Sequence, residues 1–330
     1  MCLRPRWLPI CLILSFPAIA LAAEPKALEL QQTIPLESGL GRYDHLALDD
    51  SHSRLFLANL SHNSLDIVDL KAGKLVKQIP GQKKIQGIAY VPDLDRIFVG
   101  NGEDGKCNVF DGRNYHLLQS IPVPDADNVR YHAATHTIYV TGEDGVTAID
   151  AKTMKLSATV RLPGPPEALQ IDSGRGRLYV NTHKPSQVAV VDLQTHKVAA
   201  EYPLKSATAN FPMALDLDGE RIFVGCRQKP CIIVLDARTG KELAVAPIPG
   251  DTDDLYYDAK NKRLYAICGE GAIAVVQQRG EKEFELVEKI PTAKMARTGL
   301  FDAKSGHLYV VVPRQSQAIG PELRVYRVKP

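Results

Sequence analysis

Leu178-Tyr179-Val180 decides how the whole chain is read, because the same apolar-aromatic-apolar triplet recurs along its length. The other copies are Leu55-Phe56-Leu57, Ile97-Phe98-Val99, Ile138-Tyr139-Val140, Ile222-Phe223-Val224, Leu264-Tyr265-Ala266 and Leu308-Tyr309-Val310. Their aromatics stand 42, 41, 40, 44, 42 and 44 residues apart. A period of that length, built from short apolar runs separated by turn residues, is the signature of four-stranded blades stacked into a ring.

Around each triplet the same sequence of strands is legible. A strand such as Asp44 to Asp49 or Asp253 to Asp258 precedes it. A third follows, as in Leu65-Asp66-Ile67-Val68-Asp69, Val188 to Asp192 and Ile232 to Asp236. A fourth ends in an apolar residue and proline: Ile79-Pro80, Ile121-Pro122, Leu162-Pro163, Tyr202-Pro203, Ile248-Pro249 and Ile290-Pro291. The aspartates closing the third strand (Asp69, Asp111, Asp150, Asp192, Asp236) precede turn residues such as Lys71-Ala72-Gly73. They are expected to accept backbone N–H bonds and fix the hairpin.

The ends of the repeat predict how the ring closes. Leu28 to Pro35 reads as a fourth strand lying ahead of the first full unit, whereas the last unit stops at its third strand, Leu323 to Arg327. The N-terminal strand should therefore complete the C-terminal blade and cover its open edge. The expected fold is all-β: a single seven-bladed β-propeller over residues 23–330.

Residues 1–22 read as a secretory leader. Arg4 and Arg6 form its charged end, Trp7 to Phe16 its apolar run, and Ala20-Leu21-Ala22 a small-residue cleavage site, with cleavage expected after Ala22 or Ala23. The run is too short to span a bilayer. A soluble periplasmic or secreted protein is expected, acting as a monomer. The chain has 40 Lys and Arg against 38 Asp and Glu. Losing Arg4 and Arg6 leaves 38 against 38, which argues against nucleic acid as partner, since that affinity rests on clustered cations. A periplasmic protein or a small molecule is the expected partner.

Propeller geometry brings the starts of all first strands to one rim of the central channel. Six of the seven are polar, namely Asp44-His45, Gln86-Gly87, Asp127-Asn128, Glu167-Ala168, Asp253-Asp254 and Arg297-Thr298, and Phe211-Pro212 opens the other. The candidate binding site is Asp44, His45, Gln86, Asn128, Glu167, Asp253, Asp254 and Arg297, with Arg130 and Arg227 as further compensating charges. Asp44, Asn128, Glu167 and Asp253 also offer the oxygen ligands of a divalent cation such as Ca²⁺. His45 is either a general base beside Asp44 or a hydrogen-bonded interblade histidine. His52, His62, His116 and His183 read as surface turn residues.

Four cysteines follow the leader: Cys107, Cys226, Cys231 and Cys268. Cys226 and Cys231 flank a hairpin turn and are the expected disulfide, with Cys268 the rival partner of Cys226. The sequence contains no Cys-x-x-Cys-His haem motif, no phosphate loop and no nucleophile elbow.

Tyr139-Val140-Thr141, Tyr179-Val180-Asn181 and the Val190-Val191-Asp192 strand resemble the repeats of the YVTN-type, YncE-like propellers. The resemblance covers nearly all of the chain after the leader and implies a seven-bladed, exported propeller. It brings no catalytic motif. Two functional expectations stand. One is a noncatalytic binding or scaffolding propeller that holds its ligand or partner at the polar mouth. The other is a metal-assisted hydrolase or lyase, lactonase-like, using mouth carboxylates and a histidine.

Overall fold

The computed structural model describes residues 27–36 and 41–330, so the expected leader lies outside the described residues. The described chain forms seven four-stranded antiparallel sheets. Blade 1 comprises Leu46–Asp49, Arg54–Asn59, Ser64–Asp69 and Lys74–Pro80; blade 2, Ile85–Val91, Arg96–Asn101, Lys106–Asp111 and Leu117–Pro122; blade 3, Val129–His132, Thr137–Gly142, Gly145–Asp150 and Lys155–Arg161. Blade 4 comprises Pro166–Asp172, Arg177–His183, Ser186–Asp192 and Lys197–Pro203; blade 5, Thr208–Asp216, Arg221–Gln228, Cys231–Asp236 and Glu242–Pro247. Blade 6 comprises Thr252–Asp258, Arg263–Cys268, Ala272–Gln278 and Phe284–Pro291. Blade 7 takes Gly299–Asp302, His307–Val312 and Glu322–Val328 from the end of the chain and Leu28–Pro35 from its start.

The repeated triplets are the second strands, and all seven aromatics are buried. The core lies between blades rather than at one centre. Phe98 and Val109 of blade 2 pack with Val129, Ile138 and Val140 of blade 3. Tyr265 and Ile267 of blade 6 pack with Leu308 and Val310 of blade 7. Both faces of the inner strands are thus covered, which is why the triplets lack alternation, while the fourth strands alternate at the perimeter. Each fully covered Phe, Leu or Ile contributes about 1.5–3 kcal/mol.

The closing strand pairs as expected. Leu28 opposes Val328 and Pro35 opposes Glu322, and Leu28 and Ile34 bury their side chains. The ring is completed where Tyr309 and Val311 of blade 7 pack against Leu46 and Leu55 of blade 1.

The third-strand aspartates are turn residues, as their spacing predicts. Asp69 accepts from the Ala72 N–H at 2.8 Å, Asp150 from Thr153 at 2.7 Å and Asp236 from Thr239 at 2.8 Å. Asp111 and Asp192 accept equivalent bonds. Among the described residues no helix is long and apolar enough to cross a membrane.

Candidate binding site at the channel mouth

The inner strands share one irregularity, and it builds the site. In blades 2, 4, 5 and 6 the pairing of the first and second strands slips between Ile85 and Ile88, Pro166 and Leu169, Asn210 and Met213, and Thr252 and Asp254. Gln86, Glu167, Phe211 and Asp253 sit in those slips. In blades 1, 3 and 7 the regular strand begins just after Asp44-His45, Asp127-Asn128 and Arg297-Thr298. A bulge at the rim re-aims a side chain that the pleat would direct between blades. Every blade therefore interrupts its ladder at the same level and offers side chains to one opening. Gly87 belongs to this arrangement, because a Cβ there would lie 2.0 Å from the Asp127 carbonyl oxygen of the next blade.

The result is a cavity of about 270 Å³ at the channel mouth. Asp44, His45, Gln86, Asn128, Glu167, Asp253 and Arg297 line it, as expected from their strand positions. Asp254 does not. Neighbouring strand residues point to opposite faces, so while Asp253 faces the mouth, Asp254 turns inward and accepts a bond from the Gly299 N–H at 2.9 Å. Arg130 also lies deeper, in a second cavity of the channel shared with Gln170 and Tyr256, and donates to the Val129 carbonyl at 3.0 Å.

The carboxylates and guanidinium groups of the mouth are interleaved. Arg42 donates to Asp44 at 2.7 Å. Arg227 bonds Asp253 and donates through Nε to the Thr252 carbonyl at 2.9 Å. Arg297 reaches Asp251 at 2.7 Å and Asp253 at 2.9 Å. Asp44 and Asp253, two of the four expected cation ligands, are thus already engaged by arginine. Among the described residues no three His, Cys, Asp or Glu side chains gather at metal-ligating distance. Asp44, Asn128, Glu167 and Asp253 share the cavity wall, and the three carboxylates among them do not gather at metal-ligating distance.

His45 is buried, with Nδ1 3.3 Å from Asp254 and Nε2 3.8 Å from Asp44. Burial opposes its charge, but the two carboxylates outweigh it and push the pKa up to about 10. At neutral pH this imidazole is a cation in an ion cluster and has no free base form to offer. Glu167 is the converse. Burial, with the Asp127 and Asp253 carboxylates nearby, pushes it up to about 8. Burial and Asp44 push Asp127 to about 7.

His183, which the sequence places in a surface turn, ends the second strand of blade 4 and stands 3.0 Å from Glu167. Its ring stacks on Phe211, centroids 5.6 Å apart, and the Arg227 guanidinium lies 3.7 Å from the same Phe211 centroid. Sequence reading misses Arg42 and His183 because neither begins a first strand. The rule that second-to-third loops share the same rim would have found His183. Two polar atoms of the wall, Asn128 Oδ1 and Arg42 Nε, are buried without a partner.

Cys226 and Cys231, the expected disulfide pair, are direct register partners across their hairpin, each with a free thiol. Cys268 packs in the neighbouring interblade cluster, away from Cys226. The Cys226 thiol donates a hydrogen bond to Cys231, which raises the Cys226 pKa and lowers that of Cys231.

Two solved structures similar to this chain share the propeller architecture. Hydrazine synthase of Kuenenia stuttgartiensis aligns with a TM-score of 0.72 and 16% identity, covering 87% of this chain and 96% of that one. The structure of U3-55K aligns with a TM-score of 0.77 and 12% identity, covering 90% and 98%. No family model matches the sequence, and no curated protein matches it either. At such identities the likeness defines a class, the seven-bladed β-propeller, and leaves function to be argued from the site.

Proposed function

We propose that this chain is an exported, noncatalytic β-propeller that holds a small polar ligand at the mouth of its channel. The observation that carries this reading is the 270 Å³ cavity to which all seven blades direct irregular strand starts, with Asn128 Oδ1 and Arg42 Nε left buried and unpartnered in its wall. Buried polar groups serving structure alone are nearly always satisfied, and a cavity with convergent polar groups is the usual form of a small-molecule site. Export is supported by the leader pattern of residues 1–22 and by the resemblance to YVTN-type propellers. A metal-assisted hydrolase draws no comparable support, because Asp44 and Asp253 are committed to arginines.

The test is thermal unfolding of the purified chain against a panel of small amines, amino acids, organic acids and sugars. A ligand at about 100 times its Kd should add roughly 2.7 kcal/mol. The stabilisation should fall by about half or more in Asn128→Ala and Glu167→Gln. A panel without a single stabilising compound, or stabilisation indifferent to both substitutions, overturns the reading. N-terminal sequencing of the cell-envelope fraction should begin at residue 23 or 24, and a mature chain retaining Arg4 and Arg6 overturns export.

A further inference from the structure

We infer that the ligand carries a protonated primary amine, held between Asp127, Glu167 and the side-chain oxygen of Asn128. This rests on the mouth being a binding site and names the chemical class that it takes.

The argument is a matching of charges. Each cation of the cavity wall has its own carboxylate. Arg42 takes Asp44 at 2.7 Å, Arg297 takes Asp251 at 2.7 Å, and Arg227 takes Asp253. Lys84 takes Asp125 at 3.1 Å, and the imidazolium of His45 takes Asp254 at 3.3 Å. Two wall carboxyls are left over. Among the described residues no Lys or Arg pairs with Asp127 or Glu167; Glu143, a further acid, is exposed at the lip and solvated. Glu167 has His183 beside it, but burial, Lys184 and Arg227 hold that imidazole below its ordinary pKa, so it supplies no charge at neutral pH.

Asp127 and Glu167 come from adjacent blades and repel one another, and both are pushed up towards neutrality. A cation entering between them removes that repulsion. Asn128, 3% exposed and in the same wall, adds an oxygen that accepts no bond within the protein. Two carboxylates and one amide oxygen match the three N–H donors of an ammonium group. They are too few for Ca²⁺, which takes six to eight oxygens. Because Arg42, Arg227 and Arg297 are already neutralised, the site has no matching demand for an anionic group on the ligand.

The direction of the pH effect follows. An amine with a pKa near that of lysine, about 10.4, stays charged while Glu167 and Asp127 ionise, so binding expels protons and tightens as the pH rises. The experiment is isothermal titration of the full chain with 1,4-diaminobutane and with n-butylamine, at about pH 6 and about pH 9. We expect at least about tenfold tighter binding at the higher pH, with proton release visible as a buffer-dependent heat. Glu167→Gln, an isostere of the protonated acid, should keep the melting temperature at about pH 5, where Glu167 is protonated, while weakening binding about tenfold at about pH 9 and flattening the pH dependence. Glu167→Asp should retain part of the affinity. Tetramethylammonium, which has charge but no N–H donors, should not compete.

Amine binding that is equal at both pH values, unchanged in Glu167→Gln and Asp127→Asn, or matched by tetramethylammonium overturns the inference. If a sugar or organic acid binds instead, with loss in Asn128→Ala, the ammonium is wrong and the mouth stands as a binding site. If no compound binds at either pH, both fall.

Discussion

His45 and Asp254 are more than two hundred residues apart in sequence, yet Nδ1 and Oδ1 are 3.3 Å apart inside the channel. The imidazole titrates near 6.5 when unfolded and near 10 in the fold. The native state therefore binds the extra proton between those values, and the resulting stability is complete below about pH 6.5 and fades as the pH rises to about 10. Glu167, moved from 4.5 to about 8, acts in the same direction: ionising it costs the fold more than it costs the unfolded chain. Calorimetric melting temperatures should fall steadily from about pH 5 to pH 10. Glu167→Gln should remove the lower part of that fall. His45→Gln should remove the upper part and cost about 3–5 kcal/mol at neutral pH, because Asp254 is left buried and unpaired. A flat profile in the unmodified protein would refute the ion cluster.

The closing strand makes a second prediction. Ile34 is fully buried against the last blade. Ile34→Ala should cost about 2–4 kcal/mol by removing buried surface and leaving a cavity. Pairing of Leu28–Pro35 with Glu322–Val328 is what covers the edge of blade 7, so deleting residues 27–36 should lower the melting temperature further than Ile34→Ala does. Calorimetry on the two proteins decides, and an unaltered transition in the deletion would show that the ring holds without its latch.

Cys226 and Cys231 should be the pair that oxidises. They are register partners, a separation that suits a cross-strand disulfide, and the hydrogen bond between them favours thiolate at Cys231. Burial pushes Cys107 and Cys268 up to about 12, which keeps both as inert thiols. Treatment with oxidised glutathione followed by nonreducing peptide mapping should give the Cys226–Cys231 peptide, with Cys107 and Cys268 alkylated only after denaturation. A Cys226–Cys268 peptide would contradict the packing.

Turn aspartates and mouth acids should separate cleanly under substitution. Asp236 accepts from the Arg238 and Thr239 N–H groups and the Thr239 hydroxyl. Asp236→Ala should cost about 1 kcal/mol in chemical denaturation and leave ligand affinity unchanged. Loss of affinity in that variant would mean that the outer turns contribute to the site.

Much of the site was visible in the sequence for the same reason as the fold. Glu167, Asp253 and Arg297 could be assigned to the rim because the repeat fixes where each first strand starts. His183 was hidden because its importance depends on Glu167 being 3.0 Å away, a contact between strands that register permits but does not specify. Asp254 was misplaced because a one-residue slip between Thr252 and Asp254 decides which of two adjacent acids faces the opening.

By itself the sequence determined the blade count, the strand order within each blade, the turn aspartates and the strand that closes the ring. These follow from short-range patterns repeated at a fixed period, and local sterics and hydrogen bonding are enough to set them. The tertiary structure decided which acid meets which arginine and which two carboxyls remain unmatched. Charge pairing depends on distances of a few ångströms between blades, and closure of the ring sets those distances, because apart from Arg42 and Asp44 the partners come from separate stretches of the chain.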